Sequence, residues 1–69
     1  MKLSARNVLA GKVLEVKLGA TTAHVRLELA GGAVITASIT NEAIQELGLK
    51  VGDKASAVVK ASDVMIGVD

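Results

Sequence analysis

Phenylalanine, tyrosine and tryptophan are all missing from this 69-residue chain. Single-stranded nucleic acid is commonly held by stacking bases on aromatic rings, worth roughly 1–3 kcal/mol per base. Here the only ring available is the imidazole of His24. The formal net charge is only +1, and no basic run is present to track phosphates. Sugars and flat cofactors also dock on aromatic faces, so all three ligand classes are disfavoured. Cysteine is absent as well, which removes disulfides and thiolate metal sites, and one histidine cannot build a zinc site by itself. Direct cation ligation is therefore not expected. What remains is a small ligand or a purely structural role.

Segments that would direct the chain to a membrane are also lacking. The start, Met1-Lys2-Leu3-Ser4-Ala5-Arg6-Asn7, has no apolar stretch behind its charge of the kind a signal peptide requires. No run approaches the roughly 20 apolar residues of a membrane span. A cytoplasmic location with no membrane partner is the expectation. Nor is there a catalytic constellation. Glu15, Glu28, Glu42, Glu46, Asp53, Asp63 and Asp69 are scattered over exposed strand, helix and turn positions, as solubilising charge usually is. His24 alternates with exposed residues beside Arg26 and reads as a surface or interface residue. The glycines match neither a Walker A loop nor a dinucleotide fingerprint. The chain is not expected to be an enzyme.

Against these absences stands an excess of apolar residues. They make up 51% of the chain, and the mean hydropathy is +0.50. A single domain of this size has too much surface for its volume to hide that much apolar area. The surplus is most simply buried between subunits, so an obligate oligomer is expected.

The patterning is mainly that of strands. Thr22 to Ala30 alternates Ala23, Val25, Leu27 and Leu29 with His24, Arg26 and Glu28, a period of two. Ala30-Gly31-Gly32 reads as a hairpin turn, since glycine accepts positive φ without steric cost. Ala33 to Thr40 follows, with Ala33, Ile35, Ala37 and Ile39 on one face. Upstream, Val8 to Leu18 is a longer strand in which Leu14, Val16 and Leu18 alternate with Val13, Glu15 and Lys17, and Gly11 is the candidate bend or bulge. After Thr40 the period changes. Asn41 to Leu47 is a short helix, with Thr40 or Asn41 as N-cap and Gly48 as the C′ residue. Val51-Gly52-Asp53 turns the chain into two final strands, Lys54 to Lys60 and Val64 to Val68. Five strands with a helix between the third and fourth is the order of an OB-fold, a small partly open barrel.

Chemistry is concentrated at the two ends. Ser4-Ala5-Arg6-Asn7 and Lys60-Ala61-Ser62 each place one cation beside small or hydroxyl residues. Arg offers a planar fork of N–H donors, Lys a compact charge and Ser a hydroxyl, a set suited to a compact oxyanion. Small neighbours such as Ala5 and Ala61 leave room for backbone N–H groups to reach the same oxygens. The alternative is that both are ordinary solvated charges. In an OB-like order the first and last strands can be neighbours, which would bring the boxes together. Thr40 sits where a strand runs into a helix, and it is either an anion contact or a plain helix cap.

These boxes, together with Ser38-Ile39-Thr40 before the helix, Glu46-Leu47-Gly48-Leu49, Val51-Gly52-Asp53 and Lys60-Ala61-Ser62-Asp63-Val64, resemble the molbindins. Those are small cytoplasmic proteins made of a single molybdate-binding Mop domain, and the similarity spans essentially the whole chain. The resemblance implies that residues 1–69 form one OB-like Mop domain. It also implies a homohexamer, a trimer of dimers, holding molybdate or tungstate between subunits with no organic cofactor. Carried over position by position, the oxyanion contacts would be Ser4, Ala5, Arg6, Thr40, Lys60, Ala61 and Ser62, with Asn7 fixing the turn. A second class of sites near the threefold axis would fall near the Gly19–Thr22 turn. Two other readings compete. One is an OB-like interaction module for RNA or a protein partner; the other is a regulatory domain of a molybdate transporter ATPase or transcriptional regulator.

Overall fold

The computed structural model describes all of residues 1–69. Strand β1 (Asn7–Leu18) is the spine of the fold. Its second half pairs antiparallel with β2 (Thr22–Leu29), and its first half with β4 (Lys54–Val59). Strand β3 (Val34–Thr40) pairs with β2, giving the sheet order β3-β2-β1-β4. The helix α1 (Asn41–Leu47) lies between β3 and β4 in sequence.

The alternation read from the sequence is the alternation of burial. Ala23, Val25 and Leu27 point inward and are buried, while His24, Arg26 and Glu28 are exposed. Ile35, Ala37 and Ile39 are half-buried on the same concave face, and so are Ala55, Ala57 and Val59. In β1, however, the phase departs from strict alternation. Val13 is only 1% exposed, whereas Leu14 is 38% exposed and Val16 faces inward again. The register slips between Val13 and Glu15, a β-bulge that inserts Leu14 as an extra residue. The bulge therefore lies at Leu14 and not at Gly11, and it places Val13 and Val16 on one face.

Gly11 has a different task. A Cβ at this position would lie 2.6 Å from the Glu28 carbonyl oxygen and 3.1 Å from a Leu29 methyl. Gly11 pairs with both Leu29 and Ala55, so it marks where β1 passes from one partner strand to the other. The hairpin from β2 to β3 turns through Gly31 and Gly32, both at positive φ (92° and 95°).

The helix is short but fully terminated. The Thr40 hydroxyl accepts a hydrogen bond from the Ala43 N–H at 3.0 Å, so Thr40 is the N-cap. At the other end the Gly48 N–H donates to the Gln45 carbonyl and the Leu49 N–H to the Ile44 carbonyl, a Schellman motif. Seven residues do not persist as a helix alone. Ile44, 8% exposed, packs α1 against Val13, Ala23, Val25 and Leu27.

The fifth strand expected at Val64–Val68 is not formed. After β4 the chain winds through a 3₁₀ turn at Ala61–Asp63, closed by the Asp63 N–H donating to the Lys60 carbonyl at 2.9 Å. Val64 has extended backbone (φ −94°, ψ 127°), but the segment joins no ladder. The apolar alternation is present, yet a strand exists only against a partner edge, and within the subunit none is engaged. The sheet is a four-stranded, curled half-barrel.

Substituting Gly11→Ala is expected to lower stability by about 1–3 kcal/mol, because the backbone of β2 must move away from the new methyl. Urea denaturation of the variant beside the parent measures this.

Candidate oxyanion site

The two cationic boxes leave the sheet side by side. Asn7, the first residue of β1, pairs with Val59, the last of β4. Opposed residues of an antiparallel pair have Cα atoms about 4.5–5.5 Å apart. The Asn7 side-chain amide adds a second tie, donating from Nδ2 to the Val59 carbonyl at 3.2 Å. Arg6 and Lys60 are each the next residue beyond this clamp. Residues 52 apart in sequence are thus fixed together, and Ser4, Ala5 and Arg6 emerge beside Lys60, Ala61 and Ser62.

Ser4, Arg6, Lys60, Ala61 and Ser62 are exposed, and Ala5 is half-buried. The side-chain hydrogen bonds of the chain involve Asn7, Asn41, Thr40 and Asp53, which leaves the donors of Arg6 and Lys60 uncommitted. Two cations, two hydroxyls and the amides of a small-residue segment therefore share one end of the sheet. Their chemistry fits a dianion with several oxygens. The subunit does not enclose that place. None of its three concavities is lined by Ser4, Arg6 or Lys60.

Thr40 is elsewhere. It pairs with Thr22, at the end of β1 marked by the Leu18–Ala23 pair and away from Asn7. Asn7 and Leu18 are the two ends of the 12-residue β1, on the order of 36 Å of strand contour apart at about 3.3 Å per residue. Its hydroxyl oxygen accepts from Ala43, and its own O–H remains available as a donor. The cap reading is correct for Thr40, and it does not use the whole hydroxyl.

The Gly19–Thr22 turn beside it is held by Asn41, which the sequence offered only as an alternative helix cap. Asn41 donates from Nδ2 to the Gly19 carbonyl at 3.0 Å, and its backbone N–H donates to the Thr21 carbonyl at 2.9 Å. This staples the β1–β2 connection to the start of α1. A shallow concavity of about 250 Å³ there is lined by Lys17, Leu18, Gly19, Thr22 and His24. Period-two alternation placed Lys17 and His24 on the exposed face; only the register Lys17–His24 makes them neighbours.

Residues 3–66 match the TOBE domain. The chain belongs to the TOBE-domain family. Within it, the chain is similar to Molybdenum-pterin-binding protein 2 of Clostridium pasteurianum, at 53% identity over 66 residues covering 96% of this chain and 97% of that one. MopII from the same organism superposes with a TM-score of 0.92 at 51% identity, over 97% of this chain and 100% of MopII. ModG, a cytoplasmic molybdate-binding protein solved with molybdate bound, superposes with a TM-score of 0.96 at 54% identity. That match covers 100% of this chain and 49% of ModG. The curled half-barrel with one short helix is thus the Mop fold.

Removing the clamp in this Mop unit with Asn7→Ala is expected to cost about 1 kcal/mol of stability. It should also speed amide exchange at Val59 and Lys60, and hydrogen exchange followed by NMR tests both effects.

Proposed function

We propose that this chain is an intracellular binder of molybdate and tungstate that stores the oxyanion or buffers its concentration, with a binding rather than a catalytic role. The observation that carries the reading is the clamp of Asn7 on Val59, which sets Arg6 beside Lys60 with their donors free. Support for the ligand comes from relatives named for molybdenum-pterin binding and from the molybdate-bound ModG. Support for the location comes from the description of ModG as cytoplasmic. In addition, no helix of the chain is long and apolar enough to cross a membrane.

The contacts proposed are Ser4, Ala5 and Arg6 with Lys60, Ala61 and Ser62 from one subunit, and Thr40 from another. Two arguments favour a site shared between copies. First, the register puts Thr40 at the opposite end of β1 from the boxes, so another copy is the simplest source of its free O–H. Second, an exposed pair of cations holds a dianion weakly. A unit-charge pair at 4 Å is worth about 1 kcal/mol in water but about 4 kcal/mol at an effective dielectric near 20. Burial beneath a second subunit supplies that difference, provided the desolvated oxygens receive hydrogen bonds. A homohexamer, a trimer of dimers, is the assembly proposed. The ligand is the inorganic oxyanion, with no organic cofactor. Sulfate has the same charge but is smaller, and a rigid pocket would leave some donors out of its reach.

Isothermal titration of molybdate, with sulfate as control, tests the reading on protein whose mass is fixed by light scattering. Tight molybdate binding with little response to sulfate is expected. No heat with molybdate and no competition from tungstate would refute it. Arg6→Ala and Lys60→Ala should each weaken binding by roughly 10- to 100-fold, at about 1.5–3 kcal/mol per charge-assisted hydrogen bond, while leaving the oligomer mass unchanged.

A further inference from the structure

Asn41 alone answers three successive carbonyls of the turn between β1 and β2. Its Nδ2 donates to the Gly19 carbonyl at 3.0 Å and to that of Ala20 at 3.4 Å. Its backbone N–H donates to the Thr21 carbonyl at 2.9 Å. The turn is closed on itself by the Gly19 N–H, which donates to the Thr22 carbonyl at 2.8 Å.

The amide is used unevenly. Both of its hydrogen bonds are donated, while Oδ1 is shut off from solvent and has no partner. No other buried side-chain nitrogen or oxygen of the subunit is left in that state. A buried acceptor without a donor loses about what one or two ordinary hydrogen bonds gain. The donated bonds and the orphaned oxygen therefore nearly cancel, and stability alone does not account for asparagine here.

Position supplies the account. Asn41 directly follows Thr40, the N-cap of α1, and Thr40 pairs with Thr22 of the same turn. The Thr40 backbone is thus gripped from two sides, by its own strand pairing and by the bonds of the next residue. Its Oγ1 is committed as acceptor to the Ala43 N–H, so its one remaining O–H is carried on a fixed frame. Arg6 and Lys60 differ in this respect. They are exposed, and their long stems can follow an anion of either size. A short side chain on a pinned backbone cannot follow a smaller ion.

We propose that Asn41 is a specificity-determining positioning residue. By fixing the Gly19–Thr22 turn against the start of α1, it holds the Thr40 O–H where molybdate reaches it and the smaller sulfate does not. Asn41 touches no anion itself and acts through Thr40. This deepens the oxyanion reading and rests on Thr40 as one of its contacts.

The test titrates molybdate and sulfate separately into the full chain and into Asn41→Ala, Thr40→Val and the double variant, with mass followed by light scattering. Asn41→Ala should weaken molybdate binding about 10-fold and sulfate binding less than about threefold, so the preference for molybdate narrows. Damage to fold or assembly would weaken both anions alike, which makes the ratio the deciding quantity. Thr40→Val should narrow the preference by itself, and adding Asn41→Ala to it should change little more. Asn41→Asp keeps the shape and suits the first turn of a helix, but it cannot donate to the carbonyls. Its preference should narrow in the same way, so it answers for the position if Asn41→Ala does not fold. Variants that keep the parental preference, or losses that add in the double variant, overturn the inference while the parent's binding leaves the oxyanion reading standing. A parent that ignores molybdate removes the oxyanion reading itself, and the inference with it.

Discussion

One strand answering to two partners is the constraint on which this structure depends. β1 gives its first half to β4 and its second half to β2, and only around Gly11 and Lys12 does it pair with both. For the sheet to curl there, the Glu28 carbonyl must come within 2.6 Å of where a side chain would begin, which glycine alone permits. Just beyond, the bulge at Leu14 bends the strand and resets its inward face to Val16. Curl, core and site follow from this. The second half of β1 carries Val13 and Val16 to the core, and the first half ends at Asn7, where the clamp to Val59 holds the cationic boxes together.

The subunit built this way is economical to the point of incompleteness. Only five of 69 residues are buried, none of them polar, and the core consists of Val13, Ala23, Val25, Leu27 and Ile44. A domain this small buries a modest fraction of the surface its unfolded chain exposes, so its margin is thin from the outset. Leaving Met65, Ile66 and Val68 in water, with two bare sheet edges, adds to the burden. The apolar excess that composition announces is therefore a property of individual places: the groove between β3 and β4, the outer pair Val8 and Val58, and the tail.

The two cationic boxes leave the sheet at the Asn7–Val59 end. Arg6 and Lys60 match a dianion in charge, but as exposed groups they act through water and salt, where surface charges contribute little. In the reading proposed above, a second copy would change the medium around them without altering the residues themselves.

Much of this was legible in the sequence because local rules govern it. Period-two alternation identified β2 and β3 and their inward faces. The cap at Thr40, the stop at Gly48 and the paired glycines of the hairpin followed from side-chain and backbone chemistry acting within a few residues. The resemblance of the whole chain to the molbindins named the family. Three features needed the tertiary structure, each because it depends on residues far apart in the chain. The phase of β1 was decided by a bulge at Leu14, which exists only relative to the register with β2. The tail at Val64–Val68 has the pattern of a strand, but pattern supplies a face and not a partner, so the subunit leaves it unpaired. Finally, the pairing of Asn7 with Val59, which brings the two boxes to one end of the sheet, and the placement of Thr40 at the other were set by sheet order, since hydrogen bonds between strands, unlike alternation along them, join residues that no local signal connects.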